Sequence, residues 1–339
     1  MSGLIEGLPD SVALLCLARV PFYFDPYLLL VCRSWRDAVC SPEFFKARQE
    51  VPAVEFLSIC TGVREKLWQL YDPLNDIWVI LPDIPSETRD PEDFAFVSTA
   101  GKLFVLGGDC TYYDRTTDSD VGETATDAVW SYDPILGSWD RRASMLLPRS
   151  HFACCVLEGK IVVAGGLNSS FQPISNAEIY DPETDVWVPL PDLPSIGFSA
   201  SGVVIGGKLH VFYYGLSTVR ILENGGCGWA WTVKEYGWLK GPMAVVREEA
   251  YVLNDGFVFK LDKELKIQKM VAEAPADCSY FYLGCYFTMI GLGDELYMVG
   301  SEEIYVLTVG TETPTLRELP REWYPRDGHT ITRSTMLRL

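Results

Sequence analysis

Histidine is scarce in this chain, three residues in 339, and the ten cysteines include no C-x-x-C pair. The lack of paired ligands of that kind argues against a structural zinc site. Cys154 and Cys155 are adjacent, which is poor disulfide geometry, so the thiols are expected as small buried apolar groups in a reducing compartment, the cytoplasm or the nucleus. A long apolar run is missing too. The first twenty residues lack a basic leading segment and are interrupted by Pro9 and Asp10, so neither a secretory signal nor a membrane span is expected. Positive charge is the third shortage: 28 Lys and Arg stand against 46 Asp and Glu, a net charge of −18, and no basic stripe offsets it. Binding to a phosphate backbone is thereby not expected.

Acidity is unevenly placed. Residues 1 to 50 hold 5 basic and 6 acidic residues, which leaves a net of −17 on the remaining 289. Composition changes at the same point. Before it, Leu8, Val12, Leu15 and Cys16 fall at helical spacing, with Pro9 suited to a first helical position and Asp10 complementing the helix dipole. A second helix is predicted with Asp25 as cap, Pro26 at its first turn and Leu28, Val31, Trp35 and Val39 on one stripe. Ser41 and Pro42 open a third. Three short helices therefore fill residues 1–50, followed by a second domain over 51–339.

From Ala53 onward the pattern becomes short runs rich in Val, Ile, Tyr and Phe, separated by Gly, Pro, Asn and Asp. One phrase recurs: YDPLNDIW from Tyr71, YDPILGSW from Tyr132 and YDPETDVW from Tyr180. An aromatic strand end meets Asp-Pro, suited to a type I turn, and a Trp opens the next strand, so each copy reads as a hairpin. Four residues after each Asp stands Asp76, Gly137 or Asp185, residue types that tolerate positive φ. A second phrase begins at Gly101 (GKLFVLGG), Gly159 (GKIVVAGG), Gly207 (GKLHVFYYG), Glu248 (EEAYVLND) and Asp294 (DELYMVGS), at intervals of 58, 48, 41 and 46 residues. Repeats of that length are propeller blades.

Each repeat supplies four strands: an inner run such as HFACCVL, a Gly-Lys turn, the run ending in Gly-Gly, the run ending in Tyr-Asp-Pro, and the Trp-led outer run. In the later blades the hairpin phrase decays to LENGGCGW, Leu222 to Trp229, and LDKELKIQ, Leu261 to Gln268, which still count as blades. Residues 53 to 81 supply only three strands, and the tail HTITRSTML from His329 supplies one with nothing after it. Joining them makes a sixth blade in which the two ends of the chain share one sheet and remove an exposed edge.

Leu8-Pro9, Val12, the apolar run to Val20-Pro21, then Val31-Cys32-Arg33-Ser34-Trp35-Arg36 and Val39 resemble an F-box, and the repeats resemble kelch repeats. Together they cover nearly the whole chain, and their order is similar to that of the plant F-box/kelch-repeat proteins, particularly the Skp-interacting partners. The resemblance implies a mainly β fold, a six-bladed kelch-type propeller closed by a C-terminal strand, behind a small three-helix F-box domain. It implies a substrate-recognition subunit of an SCF-type ubiquitin ligase, without cofactor or catalytic residue of its own. Leu4, Ile5, Leu8, Pro9, Val12, Leu14, Leu28 and Val31 would dock on a Skp-type adaptor, and the propeller would hold a target for ubiquitination. Apart from the resemblance, a short bundle cannot bury every apolar side chain, so Leu4, Ile5, Leu8, Leu14 and part of Leu28 to Leu30 are expected to form an exposed face. Trp35 is expected in the core.

Strand alternation places the loops between second and third strands on the same rim as the connections between blades. That rim collects DCTYYDRTTDSDVGETATDA (residues 109 to 128), residues 167 to 176, SETRDPED and RRASMLLPRS. The first holds six acids and one Arg, so it reads either as a hook for a basic target surface, anchored by Tyr112 and Tyr113, or as a solvated loop. Arg149 and Arg326 follow a Pro where inner strands enter the rim. Either reads an acidic group on a partner or pairs within the acidic propeller. His151 alone reads as a core histidine. Two other functions fit parts of the pattern: an adaptor-independent scaffold with the helices as a cap, and a kelch-type oxidase. The oxidase would need a Tyr/His copper set that three unrelated histidines do not supply.

Overall fold

The computed structural model describes residues 3–62, 66–85, 89–114, 119–213, 218–225, 228–236, 241–275, 287–311, 313–320 and 331–338. Within these the chain forms four short α-helices followed by six four-stranded antiparallel sheets and one three-stranded sheet. Among the described residues no single helix is long and apolar enough to cross a membrane.

Blade 1 holds strands Glu55–Thr61, Leu67–Asp72 and Ile77–Ile80. Its fourth strand is Ile331–Arg338, which lies on the far side of Glu55–Thr61. The register runs from Glu55 opposite Arg338 to Thr61 opposite Ile331, with one irregularity after Cys60. The sealed ring expected from strand counting is therefore present. The other blades are continuous in sequence. Blade 2 is Ala95–Thr99, Lys102–Leu106, Val129–Asp133 and Ser138–Arg141; blade 3 is Ala153–Leu157, Lys160–Ala164, Ala177–Asp181 and Val186–Leu190. Blade 4 is Ala200–Ile205, Lys208–Tyr213, Thr218–Gly225 and Gly228–Glu235; blade 5 is Met243–Val246, Glu249–Asn254, Phe257–Leu261 and Ile267–Glu273; blade 6 is Thr288–Leu292, Glu295–Val299, Ile304–Thr308 and Leu316–Glu318.

The repeated phrase does what its chemistry demands. Asp72 and Asp133 each accept two backbone N–H bonds from the turn that follows, and Asp181 accepts one from Glu183. Asp76, Gly137 and Asp185 all take positive φ, at 54°, 66° and 57°. The Trp of the outer strand staples neighbouring blades: Trp139 Nε1 donates to Pro82 O at 2.7 Å, Trp187 Nε1 to Ala143 O at 2.9 Å and Trp231 Nε1 to Pro191 O at 2.7 Å. In blade 4 the staple is Trp231 and not Trp229, because a longer hairpin puts Trp231 opposite Leu222, where Trp187 stands opposite Tyr180. The double glycine also has a steric cause. At Gly166 (φ +93°) a Cβ would lie 2.4 Å from the Ser150 carbonyl oxygen, so no side chain fits where the second strand of blade 3 ends against the segment that enters its own inner strand.

Helices α1 (Asp10–Ala18), α2 (Asp25–Val31), α3 (Arg33–Val39) and α4 (Pro42–Gln49) number one more than expected. The single predicted stripe from Leu28 to Val39 breaks at Cys32, which is fully extended (φ −163°, ψ 171°) and caps α3. Ser41 is the expected N-cap, its hydroxyl accepting from Phe44 N. Asp25 caps nothing. Its carboxylate takes both prongs of the Arg48 guanidinium, at 2.7 and 2.9 Å, tying α2 to α4. Leu17, Ala18, Leu28, Val39 and Phe44 form the small core, with Trp35 packed against it as expected.

Leu337 is fully buried on the closing strand, opposite Phe56. Leu337→Ala is expected to destabilise the whole ring by about 2–5 kcal/mol, read as a single shifted transition in urea denaturation, because closure joins the first and last blades in one cooperative unit.

Candidate functional surfaces

Two faces of the molecule are set apart by strand direction. The Asp-phrase hairpins lie on one, and the helices dock there: Tyr23 donates its hydroxyl to Asp72 Oδ2 at 2.7 Å, and the Phe22 ring meets Phe56 edge-on at 5.7 Å. Connections between blades and between second and third strands lie on the opposite rim.

The outward side of the helices is apolar. Leu8, Pro9 and Val12 are exposed at the start of α1, and Tyr27, Leu30 and Val31 on α2. Leu30 keeps 74% and Val31 58% of its surface open. Of the residues expected on this face, Leu28 is instead in the helical core and Leu14 packs half-buried against it. The reason is the break at Cys32, which turns α2 so that Leu28 points inward and Leu30 and Val31 outward. Leu4 and Ile5 are half-buried, and the Leu4 carbonyl accepts the Trp35 indole N–H at 2.6 Å. Leu30 and Tyr27 were open to sequence reasoning through their place in Tyr27-Leu28-Leu29-Leu30-Val31, but only the break decides which of the five face out.

On the rim, Asp109–Asp114 and Ser119–Ala125 pair as antiparallel strands, and Arg89–Glu92 adds a third. Tyr112 and Tyr113 lie on the central strand; their side chains fall outside the description. Arg326 and His329 lie outside the described residues. Arg149 is fully buried, with no surface left for a partner. Its guanidinium pairs with the Glu178 carboxylate and donates to the carbonyls of Gly165 (2.8 Å) and Asn176 (3.0 Å). Pairing within the propeller, one of the two roles open to it, is what the geometry provides. Burial pulls the Arg149 pKa down while Glu178 pushes it back up.

His151 is half-buried at the rim and not a core residue. Its Nε2 lies 3.0 Å from Asp93 and its Nδ1 3.6 Å from Asp109. Asp93 in turn meets Arg333 of the closing strand at 2.6 Å, so one chain of charges runs across blades 3, 2 and 1. Asp93 and His151 each precede an inner strand with positive φ, 48° and 54°, and the His151 amide donates to the Asp93 carbonyl at 3.1 Å. Asp93, Asp109 and His151 could offer a cation three ligand atoms within 4.8 Å of one another, but Arg333 already supplies positive charge at Asp93. The hydrogen bond to Asp93 raises the His151 pKa against the pull of burial. Burial pulls the Asp93 carboxyl up, but bonding from His151 and the charges of Arg333 and His151 hold it far below the usual range.

These shifts give a signed pH dependence. The His151 contribution is complete below its ordinary value of 6.5 and disappears as pH rises through the raised folded value. The Asp93 contribution is complete above 3.8 and disappears as pH falls through the lowered one. The variant His151→Asn, which keeps the positive φ, is expected to show its largest stability deficit between those two values, and the deficit shrinks above them; urea midpoints measured across the pH range check this.

The chain matches the F-box domain family over residues 5–47 and the Kelch motif family over residues 148–194, the latter spanning blade 3. It is 46% identical over 335 residues to the F-box/kelch-repeat protein SKIP30 of Arabidopsis thaliana, covering 94% of this chain and 93% of that one. With the F-box/kelch-repeat protein SKIP4 of the same plant it shares 28% identity over 310 residues, 88% of this chain and 83% of the relative. Among solved structures, YjhT superposes with a TM-score of 0.58 at 14% identity, over 74% of this chain and 91% of that one, a likeness of fold alone. A helical unit with an open apolar face and a six-bladed ring sealed by its own tail are thus the two halves of one architecture, and the chain belongs to the F-box/kelch-repeat family.

Proposed function

We propose that this protein is the substrate-receptor subunit of an SCF-type ubiquitin ligase: the helices bind a Skp-type adaptor and the propeller rim binds a protein to be ubiquitinated and degraded. The observation that carries the reading is the exposed apolar face of Leu8, Val12, Leu30 and Val31, turned away from the small helical core and left uncovered by the propeller. Such a face at the end of a small bundle is a docking surface for another subunit.

The mechanism is positional. Helices and rim lie at opposite faces, so a target held at the rim and a ligase core held at the helices are joined through one chain. The gain is in effective concentration of target lysines near the conjugating enzyme. No side chain of this chain is assigned a covalent step. The net charge of −17 on residues 51–339 favours encounter with a target of positive charge. This reading carries with it a cytoplasmic or nuclear location.

Co-expression with a Skp-type adaptor tests it. The intact chain is expected to co-purify in equal amounts with the adaptor. A double change, Leu30→Asp with Val31→Asp, is expected to weaken that binding by at least about 2 kcal/mol, roughly thirtyfold, with the melting temperature of the chain unchanged because both side chains are exposed. An intact chain that ignores the adaptor would favour the scaffold reading.

A further inference from the structure

Blades 3 and 4 can be aligned residue by residue through their second strands, Lys160–Ala164 and Lys208–Tyr213. Opposite Val163 stands Glu178, the carboxylate that Arg149 neutralises; opposite Val211, the matching place, stands Arg220. The inner strands align Ala153 (opposite Ala164) with Ser201 (opposite Phe212), so counting back, Arg149 corresponds to Gly197. Blade 4 therefore carries a cation where blade 3 carries an anion, and a glycine where blade 3 carries the neutralising charge. The glycine is required, since a Cβ at Gly197 would lie 2.8 Å from the Tyr213 ring.

Arg220 is 3% exposed, and among the described residues no carboxylate pairs with it. Its Nη1 donates to Thr218 O at 2.7 Å, and its guanidinium stacks over the Tyr213 ring at 4.7 Å. The remaining edge is the informative one. Nε and Nη2, the two parallel donors that grip a carboxylate or phosphate as a fork, both point at a single oxygen, the Ser195 hydroxyl, at 2.9 and 2.7 Å. Ser195 is itself exposed, in the connection between blades 3 and 4, so one side-chain rotation uncovers the fork. A buried guanidinium facing a neutral hydroxyl is under-compensated, and burial pulls its pKa down. Beside Ser195 on the same connection, Ile196 and Phe198 are 52% and 67% exposed.

We propose that the Nε/Nη2 edge of Arg220, screened by Ser195, is an anion-recognition point at the rim, taking a carboxylate or phosphate on a target polypeptide whose neighbouring apolar side chains rest on Ile196 and Phe198. A free small anion is disfavoured by the net charge of −18, whereas an anion tethered to an apolar segment arrives with contacts of its own. The overall charge steers at long range and Arg220 selects at contact, so a target that is basic as a whole and carries one acidic or phosphorylated residue satisfies both. This rests on the rim being the target-binding face, as the proposed function has it.

The test uses the full chain and three blocked pentapeptides, acetyl-Gly-Leu-Xaa-Leu-Gly-amide, in which Xaa is glutamate, phosphoserine or glutamine, with affinities read by calorimetry. At least one of the two anionic peptides is expected to bind at least about tenfold tighter than the glutamine peptide, and which of the two is tighter identifies carboxylate or phosphate as the source. The preference is expected to vanish in Arg220→Gln. Ser195→Asp supplies the anion from within, so it is expected to raise the melting temperature and abolish the preference even where Arg220→Gln folds poorly. Equal affinities for the three peptides, or a preference that survives Ser195→Asp, overturns the proposal. Adaptor binding is expected to be unaffected in both variants, and the anion preference unaffected in the Leu30→Asp, Val31→Asp chain, so failure here and failure of the ligase reading are separate results.

Discussion

Seven backbone pairings between Glu55–Thr61 and Ile331–Arg338 hold the two ends of the chain in one sheet, and the arrangement of everything else depends on them. A ring of blades left open would expose two unpaired inner surfaces and an edge strand ready to pair with another chain. Closing the ring with the last strand inside the first blade makes the contact with the greatest sequence separation also the one that fixes the radius. Arg333 extends the lock sideways, from the closing strand to Asp93 and to the Phe94 carbonyl of blade 2, and the Ser98 hydroxyl reaches the Met336 carbonyl across the same seam. The His151 imidazole continues the chain of charges into blade 3.

Closure also orders the surfaces. Because each blade alternates strand direction, the ring has one face of tight hairpins and one of longer connections, and the helices are attached to the first. Their contacts with the propeller are few but specific, an aromatic edge from Phe22 and a hydroxyl from Tyr23 to the Asp that begins the first hairpin phrase. That Asp thus serves twice, capping its own turn and anchoring the helical unit. The apolar side of α1 and α2 is left outward, while the acidic rim faces the other way.

Between blades the joints are built by different chemistry from one place to the next. Three of them share a Trp indole bonded to the preceding connection, which explains the Trp that ends the hairpin phrases of blades 2 and 3. The polar centre of each joint varies. At blade 3 a buried Arg149–Glu178 pair is complete, whereas at blade 4 Arg220 meets a hydroxyl and an aromatic ring. A charge pair that is complete leaves no donor for a partner to meet, and one that is half made leaves a cation whose directional donors lie behind a single serine hydroxyl.

The sequence by itself determined the repeat, the hairpins and the count of six, because these rest on local chemistry: Asp-Pro turns, positive-φ positions at Asp76, Gly137 and Asp185, and alternating apolar runs. It also determined closure, since three strands at one end and one at the other leave a single way to complete a sheet. What it could not determine is set by contacts between residues far apart in the chain. The break at Cys32 follows from packing α2 and α3 on one small core, which is why Leu28 is buried and Leu30 is not. Arg149 looks like a surface cation in a rim segment until Glu178, 29 residues away, takes its charge inside. Arg220 sits unremarked in a strand, and only the three-dimensional alignment of two blades reveals that no carboxylate among the described residues pairs with it. Local patterns fix which elements form; the ring, by deciding who stands opposite whom, fixes which charges are satisfied.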